Sequence, residues 1–388
     1  MPRKNNKAAK GSGTIRQRKD GRWEARYTAG YNSGTGKQIQ RSVYGDTQSE
    51  VLKRLQQVHV EITSGTYTEP SKMTVGQWLD IWLSEYTANI KPSTLDSYKR
   101  RTEYRIRPAL GALKLSMVKP HIIQTFYNSL QRATRNDGAL SPKSIQNIHG
   151  IIHKAFQQAV ELGYIKINPT AACKLPHVPK PIIKPLDGEQ MTAFLNAVKG
   201  HKYETFYIVD LFLGLRQGEM LGLQWSDIDF KSKTIKVSKQ LQFLKGAYTF
   251  RPLKNNKART ITPAQFVIDL LKEHYRKQCE NRLRAGRAWH NNNFVFCNEI
   301  GEHLARSTTY HNFKKLIASI GLPDVRLHDL RHTYATASIM AGDDIKTLQD
   351  NMGHHTAAFT LDTYGHATEH MKRQSSERMD KFIQSVIK

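Results

Sequence analysis

The spacing of hydrophobic and polar residues changes character along the 388-residue chain. In GTIRQRKDGRWEARYTAGYNSGTGKQIQRSVYG, residues 13–45, apolar and polar positions alternate in short runs, the period-two pattern of strands. Asp20-Gly21 and the run NSGTG sit between those runs, where hairpin turns belong. Thr47 with Glu50 makes a capping box in front of the helical stretch TQSEVLKRLQQVHVEI. The first region is therefore expected to be a three-stranded sheet with one helix.

SGTYTEPSKM, rich in Gly, Thr, Ser and Pro, reads as a linker. From Thr74 to about Leu162 the apolar spacing is helical throughout. The helices are TVGQWLDIWLSEYTANI, then STLDSYKRRTEYRIRPAL opening at a Ser93 cap, then KPHIIQTFYNSLQRA and SPKSIQNIHGIIHKAFQQAVELG. Four helices in so short a span predict a compact all-α bundle. INPTAACKLPHVPKPIIKPLD has many Pro and Lys residues and little periodicity, and reads as a second linker. Beyond it the order is helices, a strand hairpin (KTIKVSKQLQFL, then AYTFRPLK and ARTIT), and helices again, a mixed α+β but mainly helical domain. At the end, SERMDKFIQSVIK puts Met379, Phe382, Ile383, Val386 and Ile387 on one helical face. The expected multidomain layout is a sheet domain over 1–70, with 1–11 disordered, a helical domain over 73–170, a linker over 171–184 and the α+β domain over 185–388.

Charge sharpens this outline. The chain holds 59 Lys and Arg against 33 Asp and Glu, a net +26 that calls for a polyanionic partner, with nucleic acid ahead of membrane. The surplus is +7 over residues 1–70 (13 basic, 6 acidic), +10 over 71–180 (16 and 6) and +9 over 181–388 (30 and 21). Every region, and not one tail, therefore faces the polyanion. In the sheet region Arg16, Arg18, Arg22, Arg26, Lys37 and Arg41 interleave with Trp23, Tyr27 and Tyr31, which suggests a sheet laid against DNA. Lys99, Arg100 and Arg101, with Arg105 and Arg107, give the bundle a positive surface. Cys173, Cys279 and Cys297 are too few and scattered for a disulfide framework or a metal clip. The polar start MPRKNNKAAKGSG is not a secretory signal, and no apolar run approaches the ~20 residues that span a bilayer. The expectation is a soluble, cytoplasmic protein without a membrane partner.

The chemistry concentrates in RLHDLRHTYAT, residues 326–336. His328 and His332 are four apart, a spacing that can present two zinc ligands on one helical face. His328 and Arg331 are three apart, about 60° on a helical wheel, which equally well builds a clamp for an anionic oxygen. Three further motifs accompany it. LFLGLRQGEMLGLQW holds Arg216 after a glycine break in a stretch so apolar that the charge needs a partner. Glu219 could be that partner, so this motif alone is undecided. NMGHH carries His354, and TLDTYGH carries Tyr364, ten residues later. His149 and His153 are also four apart, but they lack acidic or thiol neighbours and read as packing residues.

Taken in order, G-L-R-x-G-E, H-x-x-R-H, G-H and the late Tyr closely resemble the catalytic domain of the tyrosine recombinase (phage integrase) family. The likeness is greatest to integrases of temperate phages and Gram-positive conjugative transposons, which carry an arm-binding sheet domain, a helical core-binding domain and a catalytic domain. The resemblance implies that Arg216 and Arg331 hold the non-bridging oxygens of the scissile phosphate. His328 would contact the phosphate and move a proton, His354 would hydrogen-bond the same phosphate, and Tyr364 would be the nucleophile. A hairpin lysine would protonate the leaving oxygen; RPLKNNKARTIT offers Lys254 or Lys257, and Lys254, which precedes the turn, is preferred. No metal or cofactor is implied. The implied partners are double-stranded DNA at core and arm sites, a synaptic homotetramer joined through the C-terminal helix, and accessory excision or bending factors. His332 is expected to pack inside its domain, and His355, His366 and His370 to be structural or surface residues. The implied function is site-specific integration and excision of a mobile element. A non-cleaving DNA-binding regulator of the same fold and a zinc hydrolase are the alternatives.

Overall fold

A computed structural model of the chain describes residues 14–31, 34–64, 72–132, 138–179, 184–244, 246–253, 255, 257–353 and 376–387. Its backbone divides into two compact units, Met1–Pro179 and Lys180–Lys388.

The first unit begins with an antiparallel sheet in the order β1 (Thr14–Gln17), β2 (Trp23–Tyr31) and β3 (Gln38–Gly45), covered by helix α1 (Gln48–Thr63). Strand side chains alternate between faces, so Ala25 and Tyr27 turn inward onto Val51 and Leu55 of α1, while Arg16, Glu24 and Arg26 face outward. A bulge between Thr28 and Gly30 resets that alternation. Tyr27 lies opposite Arg41, but beyond the bulge Tyr31 lies opposite Gln38, on the outer face with Gln40 and Ser42. Only half of the expected capping box forms at α1. Thr47 accepts from the Glu50 backbone N–H at 3.2 Å, whereas the Glu50 carboxylate accepts from the N–H of Asp46.

The helical part of this unit comprises α2 (Val75–Glu85), α3 (Pro92–Arg101), α4 (Arg107–Leu110), α5 (Pro120–Arg132) and α6 (Pro142–Glu161). Ser93 is not the cap of α3. Pro92 already occupies the first helical position, where its fixed φ suits a helix start, and Lys91 precedes it without a side-chain cap. The single helix expected across this region is broken by a π-helical turn over Thr102–Ile106. Trp78, Ile106, Ile123, Tyr127, Ile151 and Phe156 fill the core, and the Trp78 indole N–H donates to the Ala155 carbonyl at 2.8 Å. His149 and His153 are packing residues. They bond to the Tyr127 hydroxyl at 3.0 Å and the Thr170 hydroxyl at 2.8 Å.

The second unit runs through α7 (Gly188–Val198), α8 (Glu204–Leu213) and α9 (Gln217–Leu221) into strands β4 (Ile228–Asp229), β5 (Thr234–Val237), β6 (Lys239–Leu244), β7 (Ala247–Pro252) and β8 (Arg259–Ile261). The run KTIKVSKQLQFL is two strands and not one. β5 joins a β4-β5-β8 sheet, and β6 pairs with β7 as a separate hairpin. Then follow α10 (Gln265–Ala285), α11 (Arg306–Ser319), α12 (Leu327–Ala341), α13 (Ile345–Met352) and a helix over 376–386. Phe194, Phe206, Tyr207, Val237, Phe313 and Leu330 belong to one continuous core that fixes α8 against α12. Met379, Phe382, Ile383 and Val386 of the last helix, and Ile387 just past it, are all exposed. No helix among the described residues is long and apolar enough to cross a membrane.

Candidate active site

Three chain breaks build the site. α8 ends at Gly214, which adopts a left-handed φ of 57° against the ring of Tyr334; a Cβ there would strike the ring. This turn presents Arg216 as the extended residue before α9, where Glu219 accepts from the Arg216 backbone N–H at 3.0 Å. α12 starts at Arg326, whose N–H and guanidinium both donate to Asp329, at 2.8 Å from N and 2.7 Å from Nη2. That start fixes the helix carrying His328, Arg331 and His332. α13 ends at Gly353, left-handed at φ 63°, one residue before His354.

Arg216 and Arg331, more than a hundred residues apart in sequence, meet at the end of α13. Arg331 is 2% exposed; its Nη1 donates to the Gly214 carbonyl and its Nη2 to the Met352 carbonyl, both at 2.6 Å. Arg216 donates from Nη2 to the Gly353 carbonyl at 2.8 Å and from Nη1 to Glu219 at 2.7 Å. Arg259 completes the row, its Nε donating to the Asn351 carbonyl at 2.7 Å. Three consecutive carbonyls at a helix C-terminus, the negative end of its dipole, thus each hold one guanidinium.

Glu219 is the anion at the centre. Burial would push its carboxyl up, but the hydrogen bonds and charge of Arg259, followed by the charge of Arg216, hold it down at about 2. Nearby Asp210 is fully buried, with one carboxyl oxygen lacking a hydrogen-bond partner, and burial raises it well above the ordinary carboxylate range against the pull of Arg331. His328 keeps an open edge to solvent, yet protein packed around the rest of its ring, then His332 and Arg331, lower its pKa to about 4. Its ring meets that of His332 edge-on, with centroids 5.0 Å apart. His332 is half-buried, so its packing inside the domain is partial.

Around HDLRH, Arg331 and Arg326 lower the pKa of His328, while Asp329, paired with Arg326, opposes them. Arg331 itself donates to two neutral carbonyls. Such surroundings favour an anion over a dication. No group of three or more His, Cys, Asp or Glu side chains placed to hold a metal occurs among the described residues. Lys254, His354 and Tyr364 lie outside the described residues, as do residues 1–11, His355, His366 and His370. Lys257 is described and exposed, with its N–H donating to the Asn255 side chain at 3.2 Å.

The positions suggested for DNA contact divide by strand geometry. Arg16 and Arg26 lie on the outer sheet face, both bonded to Glu24, at 2.8 Å and 3.3 Å from their Nε atoms. Arg18 stacks over Tyr44, and Arg22 pairs with Asp20. Arg41 occupies the other register, opposite Tyr27, although its side chain reaches solvent; Lys37 is exposed just before β3. Trp23 and Tyr27, read as interleaved with the cations, pack towards α1, and the outer-face aromatics are Tyr31 and Tyr44. Lys99 and Arg100 are exposed at the last turn of α3, and Arg101 is half-buried.

Sequence reasoning missed Arg259. Its place two residues before the buried Ile261, on the same strand face, was the available signal, but its partners lie 40 and 92 residues away.

Comparison with known proteins adds to this geometry. Residues 184–371 match the model of the phage integrase family, and residues 74–131 match the SAM-like N-terminal domain of phage integrases. A tyrosine recombinase XerC-like protein of Caldanaerobacter subterraneus subsp. tengcongensis is 30% identical over 370 residues, 90% of this chain and 93% of its own length. The ICEBs1 integrase of Bacillus subtilis is 24% identical over 374 residues, 95% of this chain and 100% of its own length. Among solved structures, the Tn1549 transposon integrase in complex with a circular-intermediate DNA is similar with a TM-score of 0.67 at 25% identity, covering 79% of this chain and 100% of that one.

Proposed function

Because the chain belongs to the phage integrase family of tyrosine recombinases, site-specific enzymes of mobile elements that cut and rejoin DNA, we propose the following roles for its residues. Arg216 and Arg331 hold the non-bridging oxygens of the scissile phosphate and offset the charge that builds on them in the transition state. Their convergence at the end of α13 carries this reading. His328, one turn before Arg331 and neutral near pH 7, accepts and returns a proton at the same phosphate. His354 donates a further hydrogen bond to it.

The Tyr364 phenol oxygen attacks phosphorus, the bond from phosphorus to the 5′ oxygen breaks, and a 3′-phosphotyrosyl link forms. The phenol gives up its proton to His328, and Lys254 supplies one to the departing 5′ oxygen, with Lys257 as the other hairpin lysine. In the reverse direction a 5′-hydroxyl attacks the phosphotyrosine, so strands rejoin without ATP or a metal ion because the ester energy is retained. At a phosphate held by Arg216 and Arg331, their charge favours the phenolate of a tyrosine whose ordinary pKa is about 10.

In this reading residues 1–70 bind arm sites and 73–170 bind core sites, joined through 171–184 to the catalytic region 185–388. Arg16, Arg18, Arg22 and Arg26, with Lys37 and Arg41, meet arm DNA, and Lys99, Arg100 and Arg101 meet the core duplex. The uncovered apolar face of residues 376–386 docks on a neighbouring protomer of a synaptic tetramer in the cytoplasm, with accessory factors biasing excision against integration. The test is a nicked suicide attachment-site duplex incubated in EDTA. A covalent protein–DNA adduct that disappears in Tyr364→Phe is expected; adduct formation by Tyr364→Phe, or cleavage only with added metal, would refute the assignment.

A further inference from the structure

Arg259 is 9% exposed at its side chain and touches three separate parts of the site, although none of the chemistry above uses it. Its Nη2 donates to Glu219 Oε2 at 2.6 Å and its Nη1 to Oε1 at 3.3 Å. Its Nε donates to the Asn351 carbonyl at 2.7 Å. Gly353 packs against the same guanidinium, so close that a Cβ would come within 3.0 Å of Nη1 and 3.3 Å of Cδ. Arg259 also opens the strand that follows the hairpin lysines.

We propose that Arg259 is a positioning residue: it fixes Arg216 through Glu219 and sets the α13 backbone that leads into His354. The proposal rests on the reading that this site holds the scissile phosphate. Glu219 has two oxygens shared between two arginines, and each oxygen accepts from both of them. Without Arg259, the carboxylate is free to rotate towards Arg216, and Arg216 loses the fixed anion against which it is aimed. The Asn351 carbonyl loses its donor at the same time, so the end of α13 shifts in register with the change at Arg216. A buried ion pair is weak evidence for stability as such, because well-packed apolar residues often serve as well. An apolar residue, however, cannot bridge a carboxylate and a helix-end carbonyl in one plane. Nor can lysine, whose point charge does not reproduce the planar fork.

The test compares wild type, Arg259→Lys, Arg259→Met and Tyr364→Phe in single-turnover cleavage of the nicked duplex at saturating protein. DNA affinity and thermal melting are followed in parallel. A second duplex carries sulfur in place of the 5′-bridging oxygen, a leaving group that needs no proton. Misplacement of the phosphate-holding groups by a fraction of an ångström to an ångström predicts a cleavage rate about a hundredfold lower in both Arg259 variants. DNA affinity should stay at the wild-type value, and the sulfur substrate should restore nothing. Wild-type cleavage by folded Arg259→Lys would overturn the proposal, as would a rate loss matched by an equal loss of affinity. Rescue by the sulfur substrate would also overturn it, by assigning Arg259 to the lysine hairpin instead. If Arg259→Met does not fold, Arg259→Lys, which keeps the charge, carries the test. Absence of a Tyr364-dependent adduct in the wild-type enzyme would be a different failure, sinking the underlying reading and the proposal together.

Discussion

Two Arg-Glu-Arg clusters of the same composition occupy opposite environments. In the first, Glu219 holds Arg216 and Arg259, with side-chain exposures of 1%, 25% and 9%. In the second, Glu24 holds Arg16 and Arg26, with exposures of 5%, 58% and 48%. Both carboxyls are held at about 2, but for different reasons. Glu219 must overcome burial, and its arginines do so. Glu24 is itself buried, beneath arginines that stay open to solvent, and hydrogen bonds from Ser42 and then Arg16 lower it against a smaller effect of burial. The buried cluster is poorly screened by salt and hydrogen-bonded at both Glu219 oxygens, which suits the phosphate-holding role proposed for Arg216. The exposed arginines of the second cluster are screened and readily re-paired, which suits the arm-DNA contact proposed for them.

The largest effect should come from breaking the catalytic end. Arg331→Ala removes the guanidinium shared by the Gly214 and Met352 carbonyls and should abolish covalent adduct formation while DNA binding persists, as a gel shift would measure. Next, Glu219→Gln leaves two arginines facing a neutral amide in a buried site. It should cost about 3–5 kcal/mol, read as a lowered urea midpoint with unchanged slope. Glu24→Gln should leave that midpoint nearly unmoved; equal shifts for the two variants would erase the contrast.

Smaller effects belong to the surface. Arg16→Ala and Arg26→Ala should each reduce the salt dependence of arm-DNA binding by about one unit of log–log slope. An unchanged slope would remove those arginines from the interface. The smallest effect concerns pH. His328 is held at about 4 when folded, below its ordinary value, so the unfolded chain binds its proton first. Its contribution to stability is therefore constant above about pH 6.5 and falls as pH drops from there towards 4. Glu219, depressed to about 2, contributes fully above the ordinary carboxylate range and loses that contribution as pH falls towards 2. His328→Gln should make the upper limb shallower and leave the lower one unchanged, as pH-dependent melting would reveal. His332 and His274, also lowered by burial, keep part of the upper limb in that variant.

How much of this was legible in the sequence depended on the range of the pairing involved. Period-two runs located the three-stranded sheet, because strand alternation is local. GLRQGE and HDLRH left their chemistry open when read alone, and the roles expected of Arg216, His328 and Arg331 came from the family resemblance. Glu219 was legible as a partner for Arg216, being three residues away. Arg259 was not, because what buries it arrives from α9 and α13. The aromatics of the sheet were misread for a related reason. Simple alternation puts Tyr31 on the same face as Trp23 and Tyr27, but one extra residue at the bulge moves Tyr31 outward and leaves the other two inside. Ser93 has the chemistry of a cap, but Pro92 before it already takes the first helical position.

The central claim is that two arginines, not a metal ion, activate the phosphate. It is tested most directly by incubating wild type and Arg331→Ala with the nicked duplex in EDTA and scoring covalent adducts on a denaturing gel. The account predicts adduct from wild type in the presence of chelator and none from Arg331→Ala. Adduct from Arg331→Ala at the wild-type rate, or a wild-type reaction that stops in EDTA and resumes with added metal, would contradict it.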